Sequence, residues 1–215
     1  MEKDGSAAAQ NMPPRCLFSA RNRKSGLLMN RSVAVMINMV KLPTNKSSLF
    51  LRVAKELVAA YQHSTIVDTV LCLDGTQVIG TCLANELTKD GFANMNAHQT
   101  IYVITPEYTT GSQIILRDNL APMVKGKHVL ILAASITTGY TAQAAIEAVN
   151  YYGGMVAGLS AIFATATDCL GIPVTSIFDP SNLPDYASFD SRDCPLCKAG
   201  QRIDALVNSF GYSTL

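Results

Sequence analysis

The sequence of 215 residues has no tryptophan, no long apolar run and almost no net charge. Its longest apolar run, residues 155–166, is interrupted by Gly158 and Ser160 and is too short to span a bilayer. The 17 lysines and arginines nearly balance the 16 aspartates and glutamates, which leaves a formal charge of +1. A charge this small gives no electrostatic footprint for nucleic acid or an anionic membrane. The sequence therefore predicts a protein that binds neither.

The first ten residues lack the basic start and the apolar core of a signal peptide. We therefore expect a cytoplasmic location, in which the six cysteines are reduced thiols. Residues 1–14, which end at Pro13 and Pro14, have the composition of a disordered leader. The remaining residues, 15–215, have the length of a single α/β domain with a large core.

Beyond residue 46, apolar strands alternate with amphipathic helices along the chain. The first helix begins at Ser47 or Ser48 and runs to about residue 62, with Val53 and Leu57 on one face. The pattern further predicts strands at 66–73, 100–104, 128–132, 155–163 and 174–178, and helices at 78–87, 140–152 and 203–210. Apolar strands separated by helices are typical of a mostly parallel sheet covered by helices on both faces.

The most informative segment lies where one of these strands meets a helix. The apolar residues 129–132 are followed, after four positions, by Thr137, Thr138 and Gly139, and then by Thr141. The first N–H groups of a helix have no intrahelical partner, and the helix dipole gives them partial positive charge. Threonine hydroxyls add donors, and Gly139 can take a positive φ that lets the backbone approach a ligand. The segment predicts a phosphate cradle at the carboxyl edge of the sheet, and the alternative is an ordinary turn between strand and helix.

This turn is neither a P-loop nor a dinucleotide fingerprint, because the lysine and the further glycines of those motifs are missing. It resembles the ribosyl-phosphate loop of the type I phosphoribosyltransferases. That loop has an apolar strand, two acids, two variable residues, Thr-Thr-Gly, a small residue and then Ser or Thr. The resemblance assigns phosphate and ribosyl binding to Ser135, Ile136, Thr137, Thr138, Gly139, Tyr140 and Thr141.

Three further segments look like the orotate phosphoribosyltransferase branch of that family. Residues 105–112 fall where the branch has a mobile catalytic arm, and Cys194 to Lys198 look like the tail of some bacterial members. The segment that falls at the pyrophosphate loop consists of Leu73, Asp74, Gly75 and Thr76. Order and spacing match over roughly residues 47–200, so the resemblance covers most of the chain.

The resemblance implies a type I phosphoribosyltransferase fold, with a mostly parallel central sheet flanked by helices. Residues 15–45 and 180–215 would form a small hood and tail, and the family usually forms homodimers. The implied function is binding of a ribose 5-phosphate ligand, either phosphoribosyl pyrophosphate or a nucleotide. The implied reaction transfers the phosphoribosyl group to a pyrimidine base, with Mg²⁺ carried by the pyrophosphate.

The chain departs from the family pattern at four places that bear on catalysis. Ala133 and Ala134 replace the acid pair that holds the ribose hydroxyls in the family, and Tyr140 replaces a small residue. The arm has no lysine or arginine, the nearest being Arg117, and Asp74 places an acid in the pyrophosphate loop. We therefore expect slow or altered turnover. The alternative is a non-catalytic regulatory or scaffolding paralogue that keeps the phosphate pocket as a sensor.

The remaining candidate groups point less clearly to chemistry. Cys194 and Cys197 form one CxxC pair, whereas structural zinc needs four ligands, so incidental thiols are favoured over a zinc-dependent interaction module. The three histidines, at positions 63, 98 and 128, have no metal-ligand spacing. Glu107 and Tyr108 in residues 105–112 are candidates for acting on a ligand, but a solvated loop tip is the favoured interpretation.

Overall fold

The computed structural model describes residues 16–19, 25–28, 47–91, 93–109, 113–182, 187–190, 195–200, 205–208 and 211–214. The predicted leader at residues 1–14 and Cys194 lie outside these residues. The chain divides into two compact units, one made of residues 1–34 and 183–215 and the other of residues 35–182. Among the described residues, none of the helices has the length and apolarity needed to cross a membrane.

The unit made from the two chain ends contains a five-stranded sheet in the order β11-β2-β1-β12-β13. Strands β1 and β12 are parallel, and the other neighbours in this sheet are antiparallel. The unit also contains the short helix α4 (Pro195–Lys198). The strands are β1 (Cys16–Ser19), β2 (Ser25–Leu28), β11 (Ala187–Asp190), β12 (Ala205–Asn208) and β13 (Gly211–Thr214).

One predicted helix in this unit is wrong. The sequence pattern predicts a helix at residues 203–210, but residues 205–208 form β12. Leu206 pairs with Phe18 of β1 on one side and with Ser213 of β13 on the other. A segment of four residues has little intrinsic preference, so two strand partners decide its conformation.

The unit of residues 35–182 contains a six-stranded sheet in the order β4-β3-β7-β8-β10-β9. The first five strands are mutually parallel, and only the two-residue β9 is antiparallel to its neighbour. Its helices are α1 (Ser47–Val58), α2 (Gln77–Leu87) and α3 (Tyr140–Tyr151). The strands are β3 (Thr69–Cys72), β4 (Tyr102–Ile104), β7 (His128–Ile136), β8 (Met155–Ala164), β9 (Asp168–Cys169) and β10 (Ile172–Phe178).

The core of this unit lies on both faces of the sheet. One apolar cluster joins Ile131 and Leu159 of the sheet to Ala145 and Val149 of α3. The other joins alternate sheet residues to α1 and α2, whose buried side chains include Leu57 and Leu83. Burial on both faces explains why the strands are apolar without alternation. The predicted fold class, a mostly parallel sheet flanked by helices, is therefore confirmed.

Two short strands, β5 (Glu107–Tyr108) and β6 (Ile114–Ile115), form an antiparallel hairpin of their own after β4. We call this hairpin the arm; β5 lies within residues 105–112, for which the sequence predicts an arm, and β6 lies just beyond them. Short 3₁₀ turns at Ala121–Met123 and Pro180–Asn182 complete the unit.

Strand β7 is longer than its predicted span of residues 128–132. It continues to Ile136 because the ten-residue β8 runs beside it to that point, where Ser135 pairs with Phe163 and Ile136 with Ala164. Ala133 and Ala134 therefore belong to the strand and not to a turn that begins at residue 133. The turn before α3 is reduced to residues 137–139.

Candidate functional site

The two predicted binding segments lie side by side at the carboxyl edge of the sheet. Strands β3 and β7 are adjacent and parallel, with Cys72 opposite Leu132, so the segments that follow them emerge at the same edge. Two hydrogen bonds join the segments, from the Leu73 N–H to the Leu132 carbonyl at 2.8 Å and from the Thr76 hydroxyl to the same carbonyl at 3.1 Å. Ligands of open parallel sheets bind at this edge.

The turn at residues 137–139 has the backbone geometry of an anion site. Gly139 is the N-cap residue of α3 and has φ 77°, a left-handed conformation that glycine adopts without steric cost. Its carbonyl accepts the N–H of Gln143 at 2.8 Å, which is the first bond of the helix. Since glycine has no side chain, Gly139 cannot cap the first N–H groups of α3. They can donate to a ligand, and the dipole of the twelve-residue helix favours an anion there.

The side chains around the turn differ in how far they reach solvent. Thr138 is exposed, and Tyr140 is 60% exposed. Ser135, Thr137 and Thr141 are half-buried. The Ile136 side chain is buried in the apolar cluster beneath α3, so only its backbone can take part in the ribosyl-phosphate role that the sequence assigned to it.

Two residues that the sequence motif does not include hold the turn from the β8 side. The Thr165 hydroxyl donates to the Thr137 carbonyl at 2.8 Å, and the Thr165 N–H donates to the Ile136 carbonyl at 2.9 Å. The Cys169 thiol lies 3.8 Å from the Gly139 carbonyl, to which it donates a weak hydrogen bond. These contacts come from segments 26 or more residues away, and no local pattern marks them. The only signal in the sequence is that both residues follow the end of β8.

The pyrophosphate loop is a tight turn with two consecutive left-handed residues, Asp74 with φ 56° and Gly75 with φ 82°. Thr76 is fully buried, and its hydroxyl donates to the Leu73 carbonyl at 2.8 Å as well as to Leu132. The side chains of Leu73 and Thr76 are therefore part of the core. Asp74 and Gly75 are the half-buried residues of the loop and present its surface to a ligand.

An ion pair joins Glu107 of the arm to Arg117, which follows the arm in the sequence. The Arg117 guanidinium binds the Glu107 carboxylate in a fork, with Nε to Oε1 at 2.8 Å and Nη2 to Oε2 at 2.6 Å. The hydrogen bonds from Arg117 lower the pKa of Glu107, and the same contact raises the pKa of Arg117. Between residues 90 and 124 the sequence has no other arginine and no lysine. The charge of this one arginine is therefore offset by the Glu107 carboxylate.

The positions of the missing acid pair differ in their surroundings. Ala133 is 2% exposed and packs in the apolar cluster beneath α3, whereas Ala134 is half-buried. Among the described residues, no group of three His, Cys, Asp or Glu side chains is arranged to hold a metal ion. The described residues therefore do not fit a metal site built from protein groups alone. A magnesium ion that arrives on a pyrophosphate does not require one.

The histidines make local contacts elsewhere in the unit. His98 lies 2.6 Å from Asp90, and the His63 ring lies 3.2 Å from the Ala93 carbonyl. His128 begins β7, at the edge of the sheet opposite the turn, and its Nδ1 lies 3.0 Å from the Asp68 carboxylate. Among the described residues, no hydrogen bond or ion pair of these rings involves the turn or the pyrophosphate loop.

Comparison with solved structures identifies the architecture. The adenine phosphoribosyltransferase of Trypanosoma brucei, solved with AMP, pyrophosphate and ribose-5-phosphate, matches 80% of this chain and 78% of its own at a TM-score of 0.50 and 14% identity. The fold is that of the type I phosphoribosyltransferases. No family model matches the sequence, and no curated protein does.

Other phosphoribosyltransferases with this fold are matched less well. The orotate phosphoribosyltransferase of Mycobacterium tuberculosis H37Rv is 19% identical, with 73% of this chain and 92% of that chain covered and a TM-score of 0.45. The hypoxanthine phosphoribosyltransferase of Staphylococcus aureus is 17% identical, with 62% and 74% covered and a TM-score of 0.43. The assignment to the orotate branch stays a prediction.

Proposed function

We propose that this chain binds a ribose 5-phosphate ligand, phosphoribosyl pyrophosphate or a nucleotide, with its phosphate on the first N–H groups of α3. The observation that carries the proposal is the turn at residues 137–139, in which Gly139 is left-handed and precedes a twelve-residue helix. The hydroxyls of Ser135, Thr138 and Thr141 add donors around the same anion. The Thr165 hydrogen bonds hold the turn in this shape before a ligand arrives.

A binding experiment tests this proposal directly. We expect inorganic phosphate, ribose 5-phosphate and uridine monophosphate to raise the melting temperature at millimolar concentration. Thr138→Ala removes an exposed hydroxyl and should weaken each ligand about two- to tenfold, the worth of one hydrogen bond. Thr81→Ala is the matched control, because Thr81 is an exposed threonine on α2 whose hydroxyl bonds the Gln77 carbonyl within its own helix. No shift with any of the three ligands would refute the proposal.

The reaction that we propose is the transfer of a phosphoribosyl group to a pyrimidine base, with pyrophosphate as the leaving group. The turn would hold the 5-phosphate while the base attacks C1 of the ribose and the pyrophosphate departs from it. Magnesium carried by the pyrophosphate would offset charge at the pyrophosphate loop, where Asp74 adds a carboxylate. We further propose a cytoplasmic homodimer, for which light scattering of the purified protein tests the oligomeric state.

Turnover should be slow, because the β7 end offers no carboxylate to the ribose hydroxyls. Two charge-assisted hydrogen bonds of about 1.5–3 kcal/mol each amount to about 3–6 kcal/mol. This corresponds to a factor of about 10²–10⁴ in rate or affinity. The phosphate contacts alone do not replace these interactions, because they act on a different part of the ligand.

Two observations favour a second candidate, a non-catalytic regulatory or scaffolding protein that uses the phosphate pocket as a sensor. Ala133 is packed in the core, and Arg117, the one arginine or lysine between residues 90 and 124 of the sequence, is bound to Glu107. Pyrophosphate release measured with a panel of bases separates the candidates. Base-dependent release by the unmodified chain refutes the sensor, whereas release only after Ala134→Asp supports it. Ala133→Glu is not suitable, since it would bury a carboxylate beneath α3.

A further inference from the structure

The outward side of α3 carries four residues at the spacing of a heptad repeat. They are Tyr140, Ala144, Glu147 and Tyr151, and we call them the outer stripe. Intervals of four, three and four residues place them within about 60° of one another around the helix axis. Ala144 is half-buried and the other three are exposed, whereas the buried residues of α3 lie on the side of the sheet. This spacing is that of a helix which packs along a second helix.

The composition of the outer stripe is that of a protein interface. Its two tyrosines are 60% and 83% exposed, and Glu147 is the one charged residue among the twelve of α3. The exposed side of α1, by contrast, carries Arg52, Lys55 and Glu56. Tyrosine is enriched and lysine and glutamate are depleted at interfaces, whereas the solvated face of a helix is charged or polar. The outer stripe is therefore suited to contact with a partner.

Tyr151 is held in place although it is exposed. Its ring is in edge contact with the ring of Tyr152, with the centroids 5.1 Å apart and the planes at 88°. The Tyr152 hydroxyl in turn accepts the N–H of Leu116 at 3.1 Å. An aromatic side chain that is ordered before binding loses little conformational entropy when a partner covers it. Tyr151 thus has the properties of an anchor residue.

A second copy of α3 that runs antiparallel fits the outer stripe. The two tyrosines are equally far from the midpoint of the stripe and lie about 16 Å apart along the helix axis. A two-fold axis at this midpoint places Tyr140 of each copy beside Tyr151 of the other, and Ala144 beside Glu147. The small Ala144 leaves room for the Glu147 side chain, whose carboxylate accepts a hydrogen bond from the Gln143 amide at 3.0 Å. The two like charges therefore do not stand directly opposite each other.

The area of the exposed tyrosines is large enough to matter for such a dimer. At about 200 Å² for a tyrosine side chain, the exposed parts of the four rings amount to about 570 Å². This is more than half of the area of about 1,000 Å² at which a specific interface begins. The helices are short, so we expect a dimer of micromolar affinity.

We propose that the outer stripe of α3 is the homodimer interface of this chain, with the two helices antiparallel. This inference rests on the homodimer of the proposed function and adds the surface that forms it. Ligand binding at the turn is a separate part of that function, which the melting experiments test on their own.

Sedimentation equilibrium of the purified chain tests the proposal. We expect the unmodified chain to be a dimer at about 200 μM. Tyr151→Glu should weaken the dimer by about tenfold or more, because each dimer loses two ring contacts and gains a charge beside each remaining ring. Thr81→Glu is the matched control, since it adds the same charge at an exposed position of α2 and should leave the dissociation constant unchanged.

A mixture of two variants tests the antiparallel pairing. Tyr140→Lys should weaken the dimer as well, but mixed with Tyr151→Glu it should form a heterodimer about tenfold tighter than either variant alone. In that heterodimer one pair of tyrosines is intact, and the new lysine meets the new glutamate. Parallel helices would place each new charge beside a tyrosine, so mixing would have no effect. Tyr151→Ser supplies a milder change if a charged variant does not fold, and it should also weaken the dimer.

Each contrary result identifies a different error. A monomer at about 200 μM would overturn the inference together with the proposed homodimer and leave ligand binding standing. A dimer that the Tyr151 and Tyr140 variants do not weaken would overturn the inference alone, because the dimer would then form through another surface. Equal weakening by Thr81→Glu would overturn it too, since the added charge alone would explain the effect. Two folded variants that do not combine would overturn the antiparallel arrangement.

Discussion

Replacing Gly80 with alanine should destabilise the protein, although the same change stabilises most helices. Gly80 lies within α2, where alanine is favoured over glycine by about 0.8–1 kcal/mol. A Cβ atom at this position, however, would lie 2.3 Å from the Cys72 Sγ of β3, and 3.4 Å from a methyl carbon of Val103. Cys72 is fully buried, so the sulfur cannot move into solvent. Overpacking of this kind costs about 1–3 kcal/mol, and after the gain in helix propensity we expect a net loss of up to about 2 kcal/mol in the free energy of unfolding.

The decisive assay is a double-mutant cycle with Cys72→Ala, followed by urea unfolding. Removing the sulfur removes the contact, so in the Cys72→Ala background the Gly80→Ala change should become neutral or stabilising by up to about 1 kcal/mol. The effect of Gly80→Ala on the free energy of unfolding should thus change sign between two backgrounds that differ at one buried sulfur atom. A Gly80→Ala protein as stable as its parent would refute the close packing of α2 on β3. Equal losses in both backgrounds would refute the assignment of the clash to Cys72.

Two further predictions concern buried and half-buried polar groups of the same unit. Tyr61→Phe should lower the free energy of unfolding in urea by about 1–3 kcal/mol, because the buried Ser160 hydroxyl donates to the Tyr61 hydroxyl at 2.8 Å and would lose that partner. The double variant Tyr61→Phe with Ser160→Ala should recover part of this loss. Fully additive effects of the two substitutions would contradict the coupling. For Asp68, burial acts to raise the pKa, but the hydrogen bonds from the backbone and ring of His128, together with the positive charge of Lys127, lower it overall. A lowered folded-state pKa contributes stability that is fully present above the unfolded pKa of 3.8, and this stability is lost as the pH falls through the folded-state pKa. The loss of unfolding free energy in Asp68→Asn should therefore be full at pH 7 and vanish at low pH. A deficit independent of pH would assign the effect to packing instead.

The parallel sheet could be predicted from the sequence because its strands are buried on both faces. Residues such as Val70 and Leu130 are fully buried. The bounds of α2 and α3 agree with the predicted helices to within a residue. The helix predicted at residues 203–210 was wrong because β12 forms by pairing with β1, nearly 190 residues away, and no local sequence pattern indicates that pairing.

The candidate site could be predicted only in part, for a similar reason. The Thr-Thr-Gly turn is local, so its residues and the need for a left-handed Gly139 follow from the sequence. The length of β7 depends on the neighbouring β8, and this pairing moved Ala133 from a predicted turn into the core. The fork between Arg117 and Glu107 requires the arm to close into a hairpin, which brings together side chains ten residues apart.

The shape of the turn at residues 137–139 does not depend on the side chains at positions 133 and 134. The shape of the turn is fixed by the left-handed Gly139, by the Thr165 bonds to the carbonyls of Thr137 and Ile136, and by the Cys169 contact with the Gly139 carbonyl. None of these interactions uses a side chain at position 133 or 134. Alanines there change what the strand end offers to a sugar and leave the N–H groups of α3 where they are. In the proposed function, phosphate binding and the contacts with the sugar would therefore depend on separate residues.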